Sequence, residues 1–138
     1  MAGLPPLSEI FEDYELLDAE DRYRLLIDLG RKLEPMADAL KTEATKVRGC
    51  SASVWVYPTA EGGRLHFLAD SNAAITKGIV ALVLSAVQDK PADEVARMDI
   101  AGELAPFELS KHLSANRTQG VPNMIDLVKQ TAARYAAA

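Results

Sequence analysis

Cys50 is the only cysteine among 138 residues, so its thiol has no partner within the chain for a disulfide. One thiol also falls short of the ligand number that a thiolate metal site requires. Two uses of the sulfur remain open. It is either a packed structural thiol or a single reactive sulfur presented to another molecule. The choice between these two uses decides what the protein does.

The residues around this cysteine favour a reactive sulfur. Residues 47–55 read VRGCSASVW, a turn of small residues between two stretches that are typical of strands. Gly49 permits a backbone with positive φ, so the turn can be tight. The small side chains that follow leave the sulfur approachable by a loop of another protein. Its neighbours Gly49, Ser51 and Ala52 are not the large aliphatic residues that would indicate a thiol packed in the core.

The sequence offers little else that could do chemistry. Cys50, His66 and His112 share none of the spacings typical of metal sites, so we predict no metal. His66 is predicted to be a strand residue, and His112 a solvated residue before a loop. Gly62 and Gly63 suit a hairpin turn and not a phosphate-binding loop. The sequence alone thus predicts neither a metal site nor a phosphate-binding loop.

Composition narrows the class of partner. The chain has 25% charged residues and a net charge of -5, whereas nucleic-acid binding needs clustered Lys and Arg. The first seven residues lack the basic and apolar regions of a signal peptide. The longest apolar stretch, residues 78–87, is much shorter than the roughly 20 residues of a membrane span. We expect a cytoplasmic protein with no nucleic-acid or membrane partner.

The hydrophobic pattern predicts one domain over residues 1–138. Apolar residues at helical spacing indicate a first helix near residues 7–17, and Asp18 is a plausible N-cap for a second. Two alternating segments, residues 53–57 and 64–68, should pair as an antiparallel hairpin, with Pro58 and residues 61–63 between them as turn residues. Thr45 to Arg48 reads as a third strand that enters the Cys50 turn.

The second half of the chain is predicted to be helical. Ser71 or Asn72 should cap a helix through residue 87 that is apolar nearly all round, which is typical of a buried central helix. Gly78 within it indicates close backbone packing. Further helices are expected from Pro91, near residues 100–107, and from Pro122. This order predicts an α+β domain, with a small antiparallel sheet of about three strands packed on one side by helices.

Four segments of the chain together resemble the SufE family of sulfur-acceptor proteins, which work with cysteine desulfurases in iron–sulfur cluster assembly. They are the cysteine turn at residues 47–55 (VRGCSASVW), residues 70–78 (DSNAAITKG), residues 113–120 (LSANRTQG) and residues 26–33 (LIDLGRKL). Each motif is weak alone, but they occur in the family's order and at comparable spacing. The resemblance covers residues 10–128, and its fold is similar to that of U-type scaffold proteins.

Two positions depart from the family's usual pattern. Asn72 stands where the family usually has Asp, so an amide replaces a carboxylate. Ala115 and Asn116 replace the Pro-Ser that usually precedes the arginine, while Arg117 itself is kept. Because an amide cannot exchange a proton near neutral pH, we expect Asn72 to act mainly as a helix cap.

The resemblance implies a function for Cys50. It would accept the outer sulfur of a desulfurase persulfide, hold it as its own persulfide, stimulate the desulfurase and pass the sulfur on. Arg117 and Arg48 are candidate cations that would favour the thiolate, with Gly49 and Asn72 as supporting residues. The implied partners are a pyridoxal-phosphate-dependent, SufS-like cysteine desulfurase and a SufBCD-like scaffold. The resemblance implies no cofactor on this chain, because the pyridoxal phosphate belongs to the desulfurase. It also implies an accessory persulfide carrier without catalytic turnover of its own.

Two alternatives stay open at this point. A U-type scaffold would assemble the cluster itself, but cluster ligation generally needs about four ligands and this chain has one cysteine. A regulatory module could bind the desulfurase without transferring sulfur. In that case replacing Cys50 by Ser would leave its activity intact.

Overall fold

The computed structural model describes residues 3–49, 52–112 and 120–137 of the chain. Helices and a small sheet alternate in an α+β fold, as the sequence predicts. The helices are α1 (Leu7–Glu15), α2 (Ala19–Gly30), α3 (Ala74–Val87), α4 (Ala92–Arg97), α5 (Ile100–Leu104) and α6 (Gly120–Ala137). The strands are β1 (Val54–Glu61), β2 (Arg64–Ser71) and β3 (Lys90–Pro91). Short 3-10 turns lie at Asp38–Leu40, Ala105–Phe107 and Leu109–Lys111.

The predicted hairpin is confirmed. β1 and β2 pair antiparallel, with Val54 opposite Ser71 and Glu61 opposite Arg64. Gly62 and Gly63 have φ angles of +60° and +78°, the left-handed pair that a two-residue type I′ turn requires. The expectation that Pro58 is a turn residue is wrong, because β1 continues through it. β1 is an edge strand in the order β1-β2-β3, and an edge strand tolerates a proline whose nitrogen faces away from its neighbour.

The predicted third strand is also wrong. The segment Thr45 to Arg48 makes only one bridge, between Lys46 and Trp55, and β3 pairs instead with the start of β2. Two backbone hydrogen bonds flank that bridge, from Val47 N to Val54 O and from Val56 N to Thr45 O, both 2.8 Å long. The pairing then stops, because the chain turns away at Gly49, whose φ is +79°.

The buried helix α3 is the centre of the fold, as predicted. Ten of its fourteen residues are buried, and they pack against β2 on one side and α2 on the other. The two helices approach backbone to backbone. A Cβ at Gly78 would overlap the carbonyl oxygen of Leu26, and a Cβ at Gly30 would lie 2.8 Å from the nitrogen of Gly78. The close packing predicted for Gly78 is therefore confirmed.

The ends of the helices follow local chemistry. The side chain of Asp18 accepts a 2.9 Å hydrogen bond from the backbone nitrogen of Asp21, which confirms it as the N-cap of α2. α6 begins at Gly120, so Pro122 lies inside its first turn, where its missing N–H costs no helical hydrogen bond. α6 packs on α4, and its Met124 and Val128 are buried in the core. None of the described helices combines the length and apolar character that crossing a membrane needs.

Candidate functional site

The cysteine turn is defined in the structure by its two flanks. Cys50, Ser51 and the segment 113–119, which carries Arg117, lie outside the described residues. The chain leads into the turn through Val47 and Gly49 and leaves it through Ser53 and β1. Both flanks contact other elements of the fold, Gly49 through Asn123 and Ser53 through Ser71 and Asn72.

Ser53 is fixed by three hydrogen bonds to the end of β2. Its backbone nitrogen donates to Asn72 Oδ1 at 3.1 Å, and its carbonyl oxygen accepts from Asn72 N at 3.3 Å. The hydroxyl of Ser71 donates to the same carbonyl at 2.7 Å. The exit from the cysteine turn is thereby fastened to the residues that lead into α3.

The expectation that Asn72 or Ser71 caps α3 is wrong. The N-cap is Ala73, which has no side chain to offer, and no side chain caps the first turn of α3. Asn72 instead uses its amide oxygen on Ser53, nineteen residues earlier. The sequence motif cannot distinguish the two roles, since a residue before a helix is in reach of both the helix and a neighbouring strand.

Gly49 provides the constraint on the other flank. Its φ of +79° lies in the left-handed region that favours glycine, so the conformation that the sequence permits is the one adopted. A Cβ at this position would also overlap Nδ2 of Asn123 in the first turn of α6. The entry to the cysteine turn therefore lies against α6, which directly follows the segment that carries Arg117.

A cluster of charges lies beside the exit of the turn. Asp70, opposite Trp55 in the hairpin, binds Lys41 at 2.8 Å and Lys77 at 3.2 Å. Partial burial alone would raise the pKa of Asp70, but the hydrogen bonds from Lys41, the backbone of Ser71 and Lys77 outweigh it and lower that pKa. The carboxylate is thus ionised and compensated by two cations. Sequence reasoning gave these residues no role, because Lys41 lies 29 positions from Asp70.

Cationic residues also line the entry to the turn. Arg48 is exposed and forms no ion pair with any residue that the structure describes. A depression of about 240 Å³ beside it is lined by Glu43, Lys46, Val47, Arg48 and Gly49. The structure thus leaves Arg48 available for an anion or a partner, while its proposed role toward Cys50 stays a prediction.

His66 lies away from the cysteine turn. It is on β2 as predicted, opposite Thr59 and five residues before Ser71, which corresponds to roughly 16 Å along a strand. Its Nδ1 lies 2.7 Å from Asp89 and its Nε2 lies 2.7 Å from Glu34. Partial burial would lower the pKa of His66, but the bonds to Glu34 and Asp89 outweigh it and raise that pKa.

The expectation that His112 is a solvated residue is wrong. It is partly buried, and its Nε2 lies 2.7 Å from the hydroxyl of Tyr14. That hydroxyl donates to the carbonyl oxygen of Phe107 at 2.5 Å, so His112 must donate to it through Nε2–H. Burial, with a smaller effect of Arg22, lowers the pKa of His112. The histidine thus anchors the start of the segment that carries Arg117.

The described residues contain no cluster of three or more His, Cys, Asp or Glu that could hold a metal ion. The arrangement that they do contain is a turn held on both flanks, with compensated or available cations around it. Both described histidines are bonded to other side chains, His66 to Glu34 and Asp89 and His112 to Tyr14.

Comparison with known proteins gives one consistent result. Residues 8–132 match the family described as "SufE: Fe-S metabolism associated domain". An uncharacterized SufE-like protein of Rhizobium meliloti (strain 1021) is 37% identical over 131 residues, which cover 91% of this chain and 94% of that protein. A second, from Rhizobium etli, is 36% identical over 137 residues, covering 96% and 93%.

A solved structure shares the fold. The solution structure of a hypothetical protein from Thermus thermophilus aligns with a TM-score of 0.78 and covers 99% of this chain and 100% of that chain. Its sequence identity is 17%, so the likeness concerns the fold alone.

The two histidines should make opposite contributions to the pH dependence of stability. His66 has a raised pKa, so its contribution is present below the unfolded value of about 6.5 and is lost as pH rises through the folded value. The free energy of unfolding of wild type minus that of His66→Gln should therefore fall as the pH rises above about 6.5. His112 has a lowered pKa, so the difference for His112→Gln should shrink as the solution is acidified. Urea titrations at several pH values measure both, and parallel curves would contradict the assignment.

Asn72 should stabilise the exit of the turn through its amide oxygen. Asn72→Ala removes the acceptor for the Ser53 N–H and should lower the free energy of unfolding by about 0.5–1.5 kcal/mol. Asn72→Asp keeps an acceptor at that position and should retain most of the stability. Denaturant titration of the three proteins measures this difference. Equal losses in both variants would show that the hydrogen bond contributes nothing.

Proposed function

Since this chain belongs to the SufE family, we propose that Cys50 accepts sulfur from a cysteine desulfurase for iron–sulfur cluster assembly. The observation that supports this most directly is the constraint on both flanks of the Cys50 turn. Gly49 packs in a left-handed conformation against Asn123, and Ser53 is bound by Ser71 and Asn72. A chain segment held in this way suits a residue that must meet another protein in a fixed geometry.

The proposed reaction is thiol exchange at the outer sulfur of a persulfide. The thiolate of Cys50 attacks that sulfur, and a new S–S bond to Cys50 forms as the S–S bond of the donor breaks. The electron pair leaves with the desulfurase sulfur, which becomes a thiolate. The transferred sulfur keeps its own proton or negative charge, so the step needs no added oxidant or reductant. A second exchange of the same kind passes it to a downstream scaffold.

The charges near the turn fit an anionic sulfur. Asp70 is a carboxylate beside the exit, and Lys41 and Lys77 compensate its charge. Arg48 adds a cation at the entry without an ion pair among the described residues. Cations near a cysteine lower its pKa and increase the fraction of thiolate, which is the nucleophile.

Arg117 is proposed as a second cation for the same sulfur. It precedes Gly120 by three residues, which limits its backbone to about 11 Å from the start of α6. That start includes Asn123, which packs on Gly49. The anchoring of His112 to Tyr14 on one side and α6 on the other supports a location of Arg117 close to the turn.

The proposed partners follow from this chemistry. The donor is a pyridoxal-phosphate-dependent, SufS-like cysteine desulfurase, and the acceptor of the sulfur is a SufBCD-like scaffold. This chain contributes only the carrier thiol, so it stimulates the turnover of the desulfurase by removing its sulfur. Reduced thiol chemistry of this kind is consistent with a cytoplasmic location.

Sulfur acceptance should appear as a change in mass. Incubation of wild type with a cysteine desulfurase and cysteine should add one sulfur, about 32 Da, to the intact protein. Cys50→Ser should gain nothing, and it should also abolish stimulation of the desulfurase. An unmodified wild type beside an active desulfurase would refute the proposal. Stimulation that persists in Cys50→Ser would indicate a regulatory module instead.

Arg117→Ala should slow alkylation of Cys50 or weaken binding to the desulfurase, because a nearby cation is lost. Arg97→Ala is the matched control, since Arg97 is an exposed arginine of α4 whose side chain is 73% exposed. Iodoacetamide kinetics and a binding titration measure the two effects, with melting curves to confirm that both variants fold. If Arg117→Ala matches the control in both assays, Arg117 is a surface residue without a role in the reaction.

A further inference from the structure

Asn123 meets the entry of the cysteine turn from α6. It lies in the first turn of α6, and its Nδ2 occupies the space that a side chain at position 49 would fill. Its neighbours Met124 and Ile125 are buried in the core at 3% and 8% exposure. The backbone that carries Asn123 is therefore held by the core, and its amide lies against Gly49.

This contact explains why position 49 is doubly restricted. The φ of +79° already disfavours any residue with a Cβ, and the amide of Asn123 closes the space on that side of the backbone. By contrast, Gly62 and Gly63 in the hairpin have positive φ but nothing within 4 Å of an added Cβ. Gly49 lies directly before Cys50. Among the glycines that the structure describes, it alone has both a left-handed backbone and a side chain of another element in the space that a Cβ would occupy.

We infer that Asn123 is a positioning residue for sulfur acceptance: its amide, packed on Gly49, restrains the backbone at the entry of the turn and thereby affects the reactivity of Cys50. The inference rests on the proposed function of Cys50. Asn123 forms no bond with the transferred sulfur in this proposal. It acts through the backbone of Gly49, whose Cα is about 3.8 Å from that of the next residue.

Two variants test this role. Asn123→Ala removes the amide that packs on Gly49, so the backbone at the entry of the turn gains freedom. Cys50 should then react several-fold faster with iodoacetamide at high pH, where the thiol is fully ionised. Asn123→Asp keeps the size of the side chain and adds a negative charge close to Cys50. The midpoint of its rate against pH should therefore move upward by about half a unit or more.

Gln130→Asp is the matched control for the added charge. Gln130 is exposed on the same helix, seven residues and thus about 10.5 Å further along its axis. Its pH profile should shift much less than that of Asn123→Asp. Melting temperatures of all variants show whether a change in reactivity is merely a loss of the fold.

The outcomes distinguish this inference from the proposed function. Alkylation is measured on the full chain alone, without desulfurase, whereas sulfur acceptance is measured by intact mass. Alkylation profiles of Asn123→Ala and Asn123→Asp that coincide with wild type would overturn the role of Asn123, even if Cys50 accepts sulfur. A shift in Asn123→Asp no larger than in Gln130→Asp would also overturn it. Wild type that gains no sulfur mass would instead refute the function while leaving the contact's effect on the thiol measurable.

Discussion

The contact between the backbones of α2 and α3 is the constraint on which the rest of the structure depends. At Gly30 and Gly78 neither helix has a side chain, so the two backbones approach to a distance that any Cβ would prevent. Glycine inside a helix costs roughly 1 kcal/mol relative to alanine, and here close packing offsets that cost. This contact fixes the position of α3 in the core, and the sheet and the remaining helices pack around it.

The position of α3 in turn determines where the residues before it lie. Ser71 and Asn72 connect β2 to α3, and both bind Ser53 at the start of β1. The exit of the cysteine turn is thus hydrogen-bonded to the residues that precede the buried helix α3. The entry is set by a different element, because Gly49 lies against α6. The two flanks of the turn are thus held by two different helices of one core.

Most of the ionisable groups discussed above are bonded to one another. His66 binds Glu34 and Asp89, and the ring of His112 is hydrogen-bonded to the hydroxyl of Tyr14. Asp70 is compensated by Lys41 and Lys77. Both described histidines are therefore already bonded to other side chains. The cations nearest the flanks of the turn, Arg48 at the entry and Lys41 and Lys77 beside Asp70, are groups of the kind that lower the pKa of a neighbouring thiol.

Local patterns in the sequence determined much of this protein. The lone cysteine between glycine and small residues, the N-cap at Asp18, the glycine pair of the hairpin and the all-round apolar helix are each readable within a few positions, because the energies involved are local. Tertiary structure decided what depends on distant partners. Asn72 could have capped α3, but Ser53 lies within its reach and takes its amide oxygen. Thr45 to Arg48 has strand-like composition, yet the left-handed Gly49 ends the pairing after one bridge. Asn123 has no signal in the sequence at all, since only the packing of α6 brings it 74 positions back to Gly49.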